Sequence, residues 1–382
     1  MKHSSFAALT ASLKLSCFCA IVTLGATSCH RGPAQKSPVP VENVPLQYAK
    51  GFSITPIDGG NLLRIIDPNN PKSTLALLAL MEHDVPVPPG STVIKVPCQR
   101  IACLSSTYMA YLAELDATQN VVAVNSSRHL KNQSVRQRIE NGEIRKVGKE
   151  GDFNAETLMS LSPDVVFVSP IKAGGYDVLK QLDLPLVPLT AYEEAHPLGR
   201  AEWIKAIALF TGKSNRADSL FHATCAQYDS LKHLGASATR KPTVFSGKMK
   251  SGMWYVPGGR SFYAHYFRDA GAQYVFDDDT TQGARPIDFE IVYQKAANAD
   301  FWRIYSNTPG KLTRDQLIAE DKRYSHFKAF TDGRVLFCNI AEKPYYEEGP
   351  IKPQLLLADY IHFFHPELLP NHQPVFYDLI GE

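Results

Sequence analysis

From residue 48 on, the hydrophobic pattern of the chain passes through four regimes. Residues 48–96 hold short alternating stretches (GFSITPI, NLLRII, STLALLAL, STVIKV) cut by Asp58-Gly59-Gly60 and Asp67-Pro68, which predicts a small antiparallel β segment. From residue 100 apolar runs of strand length alternate with helical spacing. RIACLS ends in the N-cap cluster Ser105-Ser106-Thr107 and a helix follows. VVAV, DVVFV and LPLVPL read as further strands, with helices near 131–141, 154–161 and 174–182. Residues 198–234 hold no internal proline. Ile204, Ile207, Ala208, Leu220 and Leu231 recur at helical spacing, so we read one long helix, loosened near 211–214. After Lys241-Pro242 the alternation resumes, with strands at TVFSG, DFWRIY and RVLFCN. Helices are predicted over 261–270 and 288–297, near 313–330, and over 352–364. Repeated strand–helix units imply parallel sheets covered on both faces. The fold class is α/β: two Rossmann-like lobes joined by one long helix, with a small β preamble.

The first 28 residues obey another logic. Lys2, His3 and Lys14 precede the apolar run 15–24, too short to cross a bilayer as a helix. Gly25-Ala26-Thr27-Ser28-Cys29 comes next and resembles the lipobox of bacterial lipoproteins. That resemblance makes Cys29 the acylated N-terminus of an exported, lipid-anchored envelope protein on the periplasmic side. The Pro-rich polar stretch after it suits a flexible tether. The domain plan is a leader 1–28, a tether 29–47, a β-rich segment 48–96, a first lobe 97–190, a linker helix 191–240 and a second lobe 241–382.

Composition narrows the function classes. The 382 residues are 44% hydrophobic and 20% charged, ordinary for a globular chain. The net charge of +2 falls to zero once Lys2 and Lys14 leave with the leader, which gives no electrostatic footprint for nucleic acid. Thr211-Gly212-Lys213-Ser214 lacks the earlier glycine of a phosphate loop, since Ile207 stands there. There is no G-x-G-x-x-G after a strand and no G-x-S-x-G elbow. Cys98, Cys103, Cys225 and Cys338 match no zinc spacing, and buried free thiols are as good a reading as any disulfide. His362 and His365 lack a nearby third ligand, so no metal site and no resident cofactor are expected.

Order and local pattern over residues 97–365 resemble the substrate-binding lipoproteins of bacterial ABC importers for iron–siderophores, haem and vitamin B12. The most specific stretch is Val147-Gly148-Lys149, then Asn154-Ala-Glu156-Thr-Leu-Met-Ser-Leu-Ser-Pro163-Asp164-Val-Val-Phe167. Its Pro-Asp makes a sharp helix-to-strand turn. The second lobe echoes it from Asp288 to Trp302, with Asn298-Ala-Asp300 in place of Pro-Asp. The resemblance implies that Glu156 and Glu290 dock onto arginines of an ABC permease. It also implies a monomeric protein that catalyses nothing and holds a small metal chelate or corrinoid between its lobes, at the carboxyl ends of the strands.

By that rule Ser106, Tyr108, Arg128, Lys172 and Tyr345 are candidate ligand contacts; the segment 251–263 adds Trp254, Tyr255 and Arg260, and Arg285 is a further candidate cation. Gly258-Gly259-Arg260-Ser261 reads as a turn into a helix N-terminus, and Trp254, Tyr255 and Tyr263 offer flat apolar area with polar tips. Arginines suit an anionic siderophore or haem, and aromatics suit a corrinoid; both sets are present. A zinc or manganese binder of similar plan, and a tetrapyrrole-processing enzyme such as a chelatase, are the alternatives.

Overall fold

The computed structural model describes residues 42–149, 152–170 and 177–381. The leader, Cys29, most of the tether and Lys172 lie outside the described residues. The preamble is a sheet of four strands: β1 (Phe52–Ile57), β2 (Gly60–Asp67), β3 (Asn70–Met81) and β4 (Thr92–Lys95), in that order. Alternation puts Phe52, Ile54, Leu63, Ile65, Leu78 and Leu80 on its buried side. The sheet is not wholly antiparallel as the turn signals predict. β4 runs parallel to β3, because the proline-rich segment 82–91 carries the chain back across the sheet before β4 begins. Two buried carboxylates tie the residues just before β1 to the linker region. Glu202 accepts from the backbone N–H groups of Gln47, Tyr48 and Ala49, and Glu194 from those of Lys50 and Gly51.

Lobe one comprises β5 (Ile101–Cys103), α1 (Ser106–Glu114), β6 (Val121–Val124), α2 (Gln133–Glu140), β7 (Arg145–Lys146), the short pair β8 (Gly148–Lys149) and β9 (Asp152–Phe153), α3 (Ala155–Ser160), β10 (Val165–Val168), α4 (Asp177–Lys180) and β11 (Leu186–Pro188). Its sheet is parallel in the order β11-β10-β5-β6-β7. The linker is not one helix. α5 (Pro197–Thr211) ends at Gly212, whose φ of 67° is the left-handed cap that glycine supplies, and α6 (Ser214–Ala236) starts afresh.

Lobe two begins with β12 (Thr243–Ser246), β13 (Met249–Lys250), β14 (Met253–Pro257), α7 (Phe262–Asp269), β15 (Gln273–Tyr274), β16 (Ala284–Ile287) and α8 (Phe289–Ala296). It continues with β17 (Phe301–Ser306), α9 (Arg314–Glu320), α10 (Lys328–Thr331), β18 (Val335–Asn339), α11 (Tyr345–Glu348), α12 (Pro353–Phe364) and β19 (Asp378–Leu379). The main sheet has the order β15-β12-β17-β18-β19, with only β19 antiparallel, and β13-β14-β16 form an antiparallel ribbon beside it.

The two lobes repeat one local device. Asp164 accepts from the backbone N–H groups of Gln99 and Arg100 at 2.7 and 2.8 Å, pinning the start of β10 to the start of β5. Asp300 does the same for Thr243 at 2.9 Å, pinning β17 to β12. Asn298-Ala-Asp300 therefore fills the structural place of Pro163-Asp164. Cys98, Cys103, Cys225 and Cys338 are buried free thiols, and burial pushes each up to about 12.

Candidate functional site

A cavity of about 340 Å³ opens where the end of lobe one and the linker meet lobe two. One wall is the segment 192–195 that leaves β11, with Arg200 of α5 behind it. The other wall is lobe two: Ser246 and Gly247 at the end of β12, Tyr255 and Pro257 of β14, the first turn of α7, and Arg303 and Tyr305 of β17. Local sequence explains each wall. Ser261 caps α7 by accepting from the backbone N–H of Ala264, so Phe262 and Tyr263 start the helix against the cavity. The Gly258-Gly259 turn before it is forced by close packing, since a Cβ at either glycine would meet the backbone around 276–281 at 2.1–2.4 Å. Gly247 carries φ 96°, and a Cβ there would strike the Tyr255 carbonyl oxygen.

Arg303 is the floor. It is 1% exposed, yet it lines the cavity. Its Nε donates to the Tyr377 hydroxyl at 2.8 Å and its Nη2 to the Tyr345 hydroxyl at 3.0 Å. Its guanidinium lies over the rings of Tyr263 and Tyr305, 4.0 and 4.6 Å from their centres. Tyr263 and Tyr345 join hydroxyls at 2.5 Å, so the cluster is continuous. Arg200 stacks on Phe262 at 4.4 Å. On the opposite wall Glu194 is held by Lys50, Gly51 and Trp203, and burial raises its carboxyl above the usual range.

Farther along, the cleft is bridged. α11 of lobe two meets lobe one at α1 and at the start of α2. Thr107 donates to the Tyr346 carbonyl at 2.9 Å, and the Glu347 carboxylate accepts from the backbone N–H groups of Lys131 and Asn132. This contact sits at Thr107, beside the end of β5, and at Lys131 and Asn132, while Arg128 beyond β6 stays exposed.

The predicted contacts therefore divide. Tyr255 is 39% exposed and lines the cavity. Tyr345 stands just behind it, on Arg303. Ser106 opens α1 at the bridged part of the cleft. Several expectations need correction. Trp254 is fully buried among Phe245, Phe289, Trp302, Tyr324 and Phe327, because alternation along β14 sends it into the core and Tyr255 outward. Tyr108 is 1% exposed and donates to the Leu189 carbonyl inside lobe one. Arg285 points along the surface to Asp279, and Arg128 and Arg260 are exposed away from the cavity. Arg303, Arg200, Tyr305 and Phe262 are not selected by the strand-end rule. Arg303 carries a signal all the same, as a lone cation inside the apolar strand FWRIYS.

Glu156 and Glu290 each stand in the first turn of a helix, α3 and α8, and both are exposed. Arg323 approaches Glu290 at 3.7 Å. Among the described residues no three His, Cys, Asp or Glu side chains gather as metal ligands.

Residues 101–340 match the family model described as periplasmic binding protein. An uncharacterised lipoprotein of Methanocaldococcus jannaschii is 27% identical over 371 residues, 89% of this chain and 87% of its own. Two solved structures share the fold. A periplasmic haem-binding protein from Pseudomonas aeruginosa superposes with TM-score 0.58 at 17% identity, over 75% of this chain and 99% of its own. A molybdate periplasmic binding protein of a Haemophilus influenzae ABC transporter, solved with molybdate, gives 0.56 at 20%, over 73% and 89%.

Proposed function

Because the chain belongs to the periplasmic binding protein family, we propose that it is the lipid-anchored substrate-binding protein of an ABC importer. In this reading Cys29 carries the lipid, and the cleft into which the cavity opens takes an iron–siderophore, haem or corrinoid and hands it unchanged to a permease. The observation that carries the reading is the cavity itself. It lies at the carboxyl ends of β12 and β17, between two α/β lobes, and combines aromatic area with a few convergent polar groups, as small-molecule sites do. The lipoprotein name of the archaeal relative supports the anchor.

Glu156 and Glu290 supply the delivery step. They occupy equivalent places, the first turn of the helix that precedes β10 in lobe one and β17 in lobe two. Both carboxylates face solvent, where they can meet basic loops of a permease, and such rim charges govern association. The test has two arms. Haem, cyanocobalamin and ferric hydroxamate and catecholate siderophores are titrated into the purified protein by calorimetry, and one should bind. The double variant Glu156→Lys/Glu290→Lys should then keep that affinity within about twofold and lose about tenfold or more of uptake through the cognate permease. No binding of any of these ligands would sink the reading; normal uptake by the double variant would sink the docking role.

A further inference from the structure

Among the described residues Arg303 is a charge with no counter-charge. Its three side-chain hydrogen bonds all go to neutral hydroxyls, those of Tyr377, Tyr345 and, at 3.4 Å, Ser246. No described carboxylate lies within ion-pair distance of it, although the residue is 1% exposed. A guanidinium does not shed its proton, so it stays charged in a place where it has lost its water. The rings of Tyr263 and Tyr305 recover part of that loss. They do not neutralise it.

Arg200 repeats the anomaly on the facing wall of the same cavity. Its Nε is buried and has no hydrogen-bond partner, and its guanidinium rests on Phe262. The two acidic residues of the wall do not balance these cations. Glu194 gives its oxygens to Lys50, Gly51 and Trp203, and neither it nor Glu193 forms an ion pair with Arg200 or Arg303 among the described residues. Burial also pushes both carboxyls toward the protonated form. A volume of about 340 Å³ is at the small end of ligand sites, which suits one compact charged group better than a large neutral face.

Resting on the binding-protein reading above, we infer that Arg303 and Arg200 form an oxyanion subsite, completed by a carboxylate or tetrahedral oxoanion group of the ligand. Planar guanidinium forks match the oxygen pairs of such groups. The group belongs either to a free oxoanion or to the acidic arm of a metal chelate. A corrinoid such as cyanocobalamin has neutral amide side chains and no carboxylate; its one anionic group is the phosphodiester of its nucleotide loop, which offers a single charge.

The experiment titrates sodium molybdate, ferric citrate, haem and cyanocobalamin into the wild type and into Arg303→Met, Arg303→Lys and Arg200→Gln, by calorimetry and thermal shift. The wild type should bind at least one of the three anionic probes; molybdate alone identifies a free oxoanion, and ferric citrate or haem the acidic arm. Arg303→Met should fold with a melting temperature equal to or above the wild type, because a buried unpaired charge is gone, and lose about 100-fold or more in affinity. Arg303→Lys should lose about tenfold, since an ammonium keeps the charge but not the fork. Arg200→Gln tests the second cation without disturbing the floor, and should lose about tenfold. Anionic binding unchanged in Arg303→Met and Arg200→Gln would overturn the subsite. Binding of cyanocobalamin alone, equal in wild type and Arg303→Met, would overturn it and leave the binding-protein reading standing. No binding of any probe would count against both.

Discussion

Replacing Trp254 by alanine should damage the second lobe and not the ligand contacts. Its indole is fully buried and donates to the Ser246 carbonyl at 3.0 Å. Five aromatic rings lie with centres 5.6–6.2 Å away: Phe245, Phe289, Trp302, Tyr324 and Phe327. Truncating a large aromatic in such a core costs about 3–5 kcal/mol, since the rings around the void cannot all close in. The freed carbonyl adds about 1 kcal/mol. With a urea slope of about 3 kcal/mol/M, the midpoint of the lobe-two transition should fall by roughly 1.3–2 M. Circular dichroism is the suitable probe, because fluorescence would lose a reporter. Trp254→Phe keeps most of the packing and serves as the binding control: it should lose about 1–2 kcal/mol of stability and leave ligand affinity within about twofold. A midpoint shift below about 0.3 M in Trp254→Ala would refute the core assignment. So would a tenfold affinity loss in a stable Trp254→Phe protein.

Stability should fall on mild acidification. His196 caps α5 by accepting from the Leu198 N–H, stacks on Tyr48 and faces His265 at 5.0 Å; burial first, then His265, lowers it to about 4. Burial likewise lowers His265. An unfolded histidine takes a proton near pH 6.5 that the folded one refuses, so this contribution is complete above about 6.5 and is lost as the pH drops toward 4. The loss is about 2–3 kcal/mol, and His196→Asn, which can still cap, should flatten the profile over that window in urea titrations at stepped pH. The difference between the two proteins isolates the histidine from Glu193, Glu194 and Glu347, whose raised values act in the opposite sense. The mature N-terminus should be an acylated Cys29; an intact mass showing an unmodified N-terminus at another residue would remove the anchor.

Much of the scaffold is legible because periodicity reports burial directly. β10 (VVFV) and β18 (VLFCN) are buried along their whole length, and both read as strands from composition alone. The Asp164 and Asp300 pins are visible as a repeated spacing before a strand. The break at Gly212 is visible as a weak point, but a hydrophobic stripe continues across it, so one helix and two look alike. The site is less legible. The strand-end rule picks last residues, whereas Arg303 is third in β17 and reaches the cavity through the length of its side chain. Along β14 Trp254 is buried and Tyr255 exposed, so of two adjacent aromatics one had to face inward. The pairing with β16 decides which, since Trp254 stands opposite the buried Ile287.

α11 touches the cavity cluster at one end and lobe one at the other, which makes Glu347 the sharpest probe of how the lobes are held. Glu347 is 4% exposed, and its two oxygens accept from Lys131 N at 2.5 Å and Asn132 N at 3.2 Å, at the amino end of α2. Contacts on either side frame it: Tyr345, on the same helix, bonds Arg303, and Lys352, just beyond, pairs with Glu114 of α1 at 2.9 Å. A hydrogen bond to a charged group contributes about 1.5–3 kcal/mol, and the helix end adds a favourable field. Burial works against this and raises the carboxyl, so a net loss of about 2 kcal/mol is the expectation for Glu347→Ala. That is roughly a 30-fold shift in the balance between bridged and separated lobes. Hydrogen exchange of the amides of residues 131–136 should quicken by a similar factor, with scattering showing a larger radius of gyration. Glu347→Gln keeps one acceptor and should fall between. If both variants exchange like the wild type, the carboxylate does not hold the lobes, and the bridge rests on its other contacts, among them Thr107 on Tyr346, Lys131 Nζ on the Ala341 carbonyl, His129 against Tyr346 and the Lys352–Glu114 pair.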